Sequence, residues 1–108
     1  MENEKVKYLI DMINDMDLTN KLRLAICMSN SSYTNLKYNK PEMYKYFDTI
    51  LKEIDEEYRT TLINFAKYHL IMFAMAKIME MAKEEQNQVA LYLVNSINLE
   101  LKKLKQSV

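Results

Sequence analysis

The chain contains one cysteine, Cys27, and one histidine, His69, and these side chains are the best suited to nucleophilic chemistry. An imidazole that activates a thiolate is usually oriented by a third group. The sequence offers neither such a group nor a nucleophile at a recognisable spacing from His69. We therefore expect Cys27 to be a packed thiol and His69 to be a hydrogen-bonded residue at the edge of the core. We do not expect an enzyme.

Acidic residues cluster in KEIDEE, residues 52–57, where they could bind a metal ion. A calcium loop needs a glycine at its sharp turn, and this segment has none. A structural zinc site needs four ligands of the cysteine and histidine type, and the chain has only one of each. We therefore expect no metal or other cofactor and interpret the segment as a solvated helix face. An acidic surface for a basic partner is the alternative.

Lysine and tyrosine alternate in YTNLKYNKPEMYKY, residues 33–46. Lysines neutralise phosphates and tyrosines stack on bases, so this segment could contact nucleic acid or a small anionic ligand. The candidate contact residues are Lys37, Tyr38, Lys40 and Lys45. The whole chain has 15 basic and 15 acidic residues, which gives no general attraction to nucleic acid. A nucleic-acid-binding regulator is therefore the alternative function.

The composition indicates which elements position these residues. The chain has 108 residues, which predicts a single domain covering residues 1–108. It has no glycine and one proline, and this argues against hairpins and phosphate-binding loops. The sequence therefore predicts an all-α fold. A single cysteine fits a reducing compartment, and the first residues do not resemble a signal peptide, so we expect a cytoplasmic protein.

Apolar spacing predicts helices over residues 3–16, 18–29 and 88–105, with Asp17 and Asn87 as N-caps of the second and last. Between Pro41 and about Glu85, apolar residues recur at alternating steps of three and four. This series, called the seam below, comprises Phe47, Leu51, Ile54, Tyr58, Leu62, Phe65, His69, Met72, Ala76 and Met79. We expect a compact bundle of four or five helices with one long central helix, or a kinked helix pair that breaks in residues 57–61.

The segment HLIMFAMAKIMEMA, residues 69–82, is apolar on nearly all sides. A lysine at the centre of a membrane-spanning helix costs about 2.5 to 3.5 kcal/mol, and Lys67 and Lys77 lie in the best spanning window. We therefore expect no membrane span. The breadth of the apolar surface instead predicts either plain core or core shared with a second chain. The candidate interface residues are His69, Met72, Phe73, Met75 and Met79.

These observations favour a non-enzymatic helical interaction protein. We expect a homodimer that binds a macromolecular partner, as a regulator or an inhibitor does. Charge is also distributed unevenly, because residues 48–57 are acidic and residues 99–108 are basic. The two segments could pair within one chain or between two chains.

Overall fold

A computed structural model describes residues 4–29, 47, 49–64 and 69–106, and for Arg59, Ile63 and Asn64 the backbone only. The helices are α1 (Glu4–Asp15), α2 (Leu18–Ser29), α3 (Glu56–Asn64), α4 (His69–Met79) and α5 (Lys83–Gln106). Residues 49–52 are also helical, and the described ranges contain no strand. The all-α prediction is therefore confirmed. The lysine- and tyrosine-rich segment, residues 33–46, lies outside the described residues.

The long helix α5 is the element around which the others pack. Helices α1 and α2 both pack against α5, while α4 packs on α1 and α2, and α3 packs on α2. The radius of gyration is 13.2 Å, and a folded domain of about this length is expected to have a radius of about 13 Å. Every described helix contributes to the core, with Leu9, Leu24, Leu62, Ile71 and Leu93 almost fully buried.

Local capping explains where three of the helices begin. The Asp17 carboxylate accepts a hydrogen bond from the backbone amide of Asn20 at 2.8 Å, as predicted for the N-cap of α2. Asp55 accepts a hydrogen bond from the amide of Glu57 at 2.8 Å at the start of α3. Glu85 accepts one from the amide of Ala82 at 2.8 Å, which is half of a capping box at the start of α5.

Of the two alternatives for the segment from Pro41 to about Glu85, one long helix or a pair that breaks within residues 57–61, neither holds in the described residues. The chain leaves the helix at residues 53–55, and residues 57–61 lie inside α3. Thr60 and Thr61 remain inside α3. Their hydroxyls donate hydrogen bonds to the carbonyls of Glu56 and Glu57, each at 3.0 Å. These bonds satisfy the threonine hydroxyls within the helix, so the threonines do not end it.

The predicted start of the last helix is also wrong. The helix begins at Lys83 and not at residue 88, and Asn87 lies inside it and not at its N-cap. The Glu85 side chain caps the start of the helix, a role that the sequence had suggested for Asn87. A break at residues 80–82 separates α4 from α5, and α5, with 24 residues, is the longest described helix. The apolar residues Ala90, Leu93, Val94 and Ile97 of this helix are buried, whereas Leu104 near its end is 54% exposed.

Polar contacts fix how α1, α2 and α4 lie on α5. Lys21 of α2 is 5% exposed, and its ammonium lies 2.7 Å from the carboxylate of Glu100. Tyr92 donates a hydrogen bond to Asn14 of α1 at 2.6 Å. The Gln86 amide donates to the carbonyl of Ile78 at 2.9 Å in a buried position at the end of α4. Because directional contacts tolerate little displacement, they specify the relative placement of the helices.

Candidate interaction surface

Helix α4 has two apolar faces, and only one of them is buried. Ile71, Ala74, Met75 and Ile78 face the core, with exposed fractions of 0 to 5%. The opposite face is defined here as the α4 surface. It comprises His69, Leu70, Met72, Phe73, Ala76 and Met79, all of which are exposed. The two faces follow from the period of about 3.6 residues in an α-helix.

The seam prediction therefore has the wrong phase in this helix. It pointed His69, Met72, Ala76 and Met79 inward, but all four lie on the exposed side. The reason is that the seam was extended from the residues around Leu51. The break at residues 53–55 means that no single helix carries that phase forward. Within α4 itself, apolar residues on both sides leave the inward face undefined by periodicity alone.

The α4 surface exposes large apolar side chains in two pairs. Leu70 lies three residues from Phe73 and Met72 lies seven residues from Met79, and residues at these spacings share a side of a helix. Leu70 is 38% exposed, Met72 52%, Phe73 46% and Met79 45%. Isolated exposed apolar residues are normal on a protein surface, whereas contiguous ones mark candidate interaction sites. Met75, which we also predicted at the interface, is only 5% exposed and packs in the core. It therefore contributes little to this surface.

Tyr8 of α1 extends the α4 surface on one side. Its ring meets the Phe73 ring edge to face, with 6.4 Å between the centroids and an interplanar angle of 67°. The Lys77 ammonium lies 5.5 Å from the centre of the Phe73 ring, within cation–π range. A groove of about 380 Å³ separates α1 from α4 here, and its lining includes Tyr8, Leu9, Phe73, Lys77, Glu80 and Met81.

Sequence reasoning missed two residues of this area, Tyr8 and Leu70. The position of Tyr8 in the sequence did contain a signal that could have identified it. The residue lies outside the buried stripe of α1, which consists of Val6, Leu9 and Ile13. A large aromatic side chain on the solvent side of an amphipathic helix is a candidate for contact with something other than the helix's own core.

Cys27 and His69 have very different surroundings. Cys27 is 2% exposed, and burial raises the pKa of its thiol to about 11. The prediction of a packed thiol is therefore confirmed. His69 is exposed at the start of α4, not at the edge of the core, and no hydrogen bond joins it to Cys27, both residues being described. The described part of the chain has no group of three or more histidine, cysteine, aspartate or glutamate residues that could hold a metal ion.

The charged segments meet within one chain. The ammonium of Lys105 lies 3.9 Å from the carboxylate of Glu53, and both side chains are largely exposed. This contact favours intramolecular pairing of the acidic and basic segments, although exposed ion pairs contribute little free energy. The candidate anion-binding residues Lys37, Tyr38, Lys40 and Lys45 lie outside the described residues, so nucleic-acid binding stays a prediction.

No protein-family model matches the chain, and no curated protein or solved structure resembles it significantly. Among the helices described above, none is long and apolar enough to cross a membrane. The function must therefore be argued from the geometry of the α4 surface.

Proposed function

We propose that the protein is a non-enzymatic, cytoplasmic interaction protein. It forms a homodimer through the α4 surface and binds a macromolecular partner in that form, as a regulator or an inhibitor does. The observation that carries the proposal is the exposure of Leu70, Met72, Phe73 and Met79 on one helix. The residues that α4 contributes to the core are on its other face, where Ile71, Ala74, Met75 and Ile78 are buried.

The energetics of burial support association. Complete burial of a leucine, methionine or phenylalanine side chain contributes about 1.5 to 3 kcal/mol relative to full exposure. The four large side chains are each between 38% and 52% exposed. Covering each of them therefore contributes on the order of 1 kcal/mol. Because association carries a substantial entropy cost, several of these residues must be buried together to offset it.

Other exposed apolar residues form a less suitable surface. Leu91, Leu99 and Leu104 of α5 are 42%, 61% and 54% exposed. Their spacing does not place all three on one face of the helix. They resemble the scattered apolar residues of an ordinary protein surface, and they provide matched controls for the α4 residues.

Self-association is tested by measuring molar mass by light scattering or sedimentation from micromolar to about 100 micromolar protein. We expect the wild type to shift from monomer to dimer over this range. Met72→Glu places a charge in the proposed interface and should leave the protein monomeric, because an unpaired buried charge is costly. Leu99→Glu, at a residue that is 61% exposed on α5, should dimerise as the wild type does. A wild type that stays monomeric at every concentration contradicts the homodimer.

Partner binding is tested by affinity capture from the native host with the same variants. A macromolecule that is recovered with the wild type and with Leu99→Glu, but not with Met72→Glu, supports action as a dimer through the α4 surface. Equal recovery with all three proteins shows that the partner does not need this surface.

A further inference from the structure

Three residues of the α4 surface, together with Glu80 just after it, are spaced symmetrically along the chain. The midpoint of this spacing lies between residues 74 and 75. His69 lies five residues before residue 74, and Glu80 lies five residues after residue 75; both are exposed. Phe73 and Ala76 lie one residue on either side of the same two positions. The side chains of His69, Phe73 and Ala76 project along one strip, because spacings of three, four and seven residues return to the same side of a helix. Glu80 is the first residue of the turn that follows α4, four residues beyond Ala76.

This arrangement is the one that a twofold axis requires. In a symmetric dimer, residue i of one copy contacts residue j of the other, and j contacts i in return. If two α4 helices cross in opposite directions at residues 74 and 75, residue 69 lies opposite residue 80, and residue 73 lies opposite residue 76. The first pair joins the histidine to a carboxylate, and the second joins a large side chain to a small one.

We propose that a second copy of this chain packs antiparallel on the α4 surface, about a twofold axis level with residues 74 and 75. His69 then faces Glu80 of the other copy, and Phe73 packs over Ala76 of the other copy. This inference rests on the proposed function, and it specifies the orientation and the register in which the second copy packs.

Shape and charge both favour this orientation. Ala76 is exposed and small, so two helices can approach to the 8–10 Å at which helices pack closely, with Phe73 filling the adjacent space. A parallel dimer in register would bring Glu80 against Glu80 and Phe73 against Phe73. Like charges placed opposite each other oppose association, and two large rings at one level hold the helices apart. The antiparallel orientation avoids both.

Disulfide trapping tests the orientation directly. We would mix a His69→Cys variant with a Glu80→Cys variant that carries a tag of different mass, and then oxidise the mixture. Antiparallel packing predicts a disulfide between the two different chains. Each variant alone should crosslink little, because equivalent positions lie about 16 Å apart along the antiparallel helices. A disulfide needs Cα atoms within about 7 Å. The wild type controls for Cys27, which is 2% exposed.

A charge exchange provides a second readout that needs no oxidation. His69→Glu should raise the dimer dissociation constant roughly two- to tenfold, because it places two carboxylates opposite each other. Adding Glu80→Lys to the same chain should restore the wild-type constant, since each new glutamate then faces a lysine. Failure of the second substitution to restore dimerisation overturns the proposed register.

The outcomes separate this inference from the proposed function. If light scattering shows a dimer but His69→Cys crosslinks by itself, the dimer is parallel and the inference is overturned while the homodimer stands. A dimer in which neither single variants nor their mixture crosslinks has another register, and this also overturns the inference alone. A monomer whose α4 surface captures a different protein overturns the second copy as occupant and leaves an interaction function. A monomer that captures nothing contradicts both.

Discussion

Helices α2 and α4 are both more apolar than one buried stripe requires, yet the fold uses the excess differently. Helix α2 packs against α3, α4 and α5. Leu24 and Met28, which lie off its main stripe, are therefore buried together with Leu22, Ala25, Ile26 and Cys27. Helix α4 is covered on one side only. The comparison shows that apolar breadth in a sequence indicates more than one packing partner, but it does not say whether each partner belongs to the same chain.

The sharpest test of this comparison uses one methionine from each helix. Met28 is 1% exposed and Met72 is 52% exposed. Met28→Ala should lower the free energy of unfolding by about 2 to 5 kcal/mol, because it removes buried atoms and leaves a cavity. Met72→Ala should change it by less than about 0.5 kcal/mol in the monomer. Urea unfolding at low protein concentration measures both unfolding free energies. Similar losses in the two variants would mean that both faces of α4 are packed within the monomer.

The buried side of α2 should also make stability depend on pH. Burial raises the pKa of Cys27 from 9.0 to about 11. The unfolded thiol therefore ionises first, so this contribution to stability is complete below pH 9 and is lost as the pH rises toward 11. The loss should be about 2 to 3 kcal/mol.

Cys27→Ala is the control for the pH experiment. Tyrosines and lysines titrate in the same range, so the quantity to compare is the difference in unfolding free energy between wild type and variant at each pH. That difference should change by about 2 to 3 kcal/mol between pH 9 and 11. A constant difference would show that the Cys27 thiol ionises equally well in the folded and unfolded states.

A smaller effect is expected where α1 meets the α4 surface. Tyr8→Ala removes the edge-to-face contact with Phe73, whose centroid lies 6.4 Å away. Because Tyr8 is 48% exposed, the unfolding free energy should fall by only about 0.5 to 1.5 kcal/mol. Tyr8→Phe keeps the ring and should retain most of the stability. If Tyr8→Phe is as destabilised as Tyr8→Ala, the hydroxyl and not the ring contact matters.

Helix starts and the inward face of a helix could be predicted only where polar residues marked them clearly. The start of α2 followed from Asp17, whose side chain caps the helix in the expected way. The start of α5 was misplaced because Asn87 is a good N-cap residue. In the folded chain the helix begins earlier, and the Glu85 carboxylate reaches back from the first turn to the amide of Ala82. The phase of α4 could not be predicted, since apolar residues on both sides give no contrast between inside and outside. Which face turns inward was decided by packing against α1 and α2, which is information held by other parts of the chain.

The contact between Gln86 and Ile78 has a consequence for recognition. The Gln86 amide donates a hydrogen bond to the Ile78 carbonyl at 2.9 Å across the break between α4 and α5, so the last turn of α4 is attached to the longest of the described helices. A helix held in this way is preorganised, and this bears on the proposed binding through α4. A binding partner would then meet an element whose conformational entropy was already lost when the chain folded, and more of the contact energy would appear as affinity.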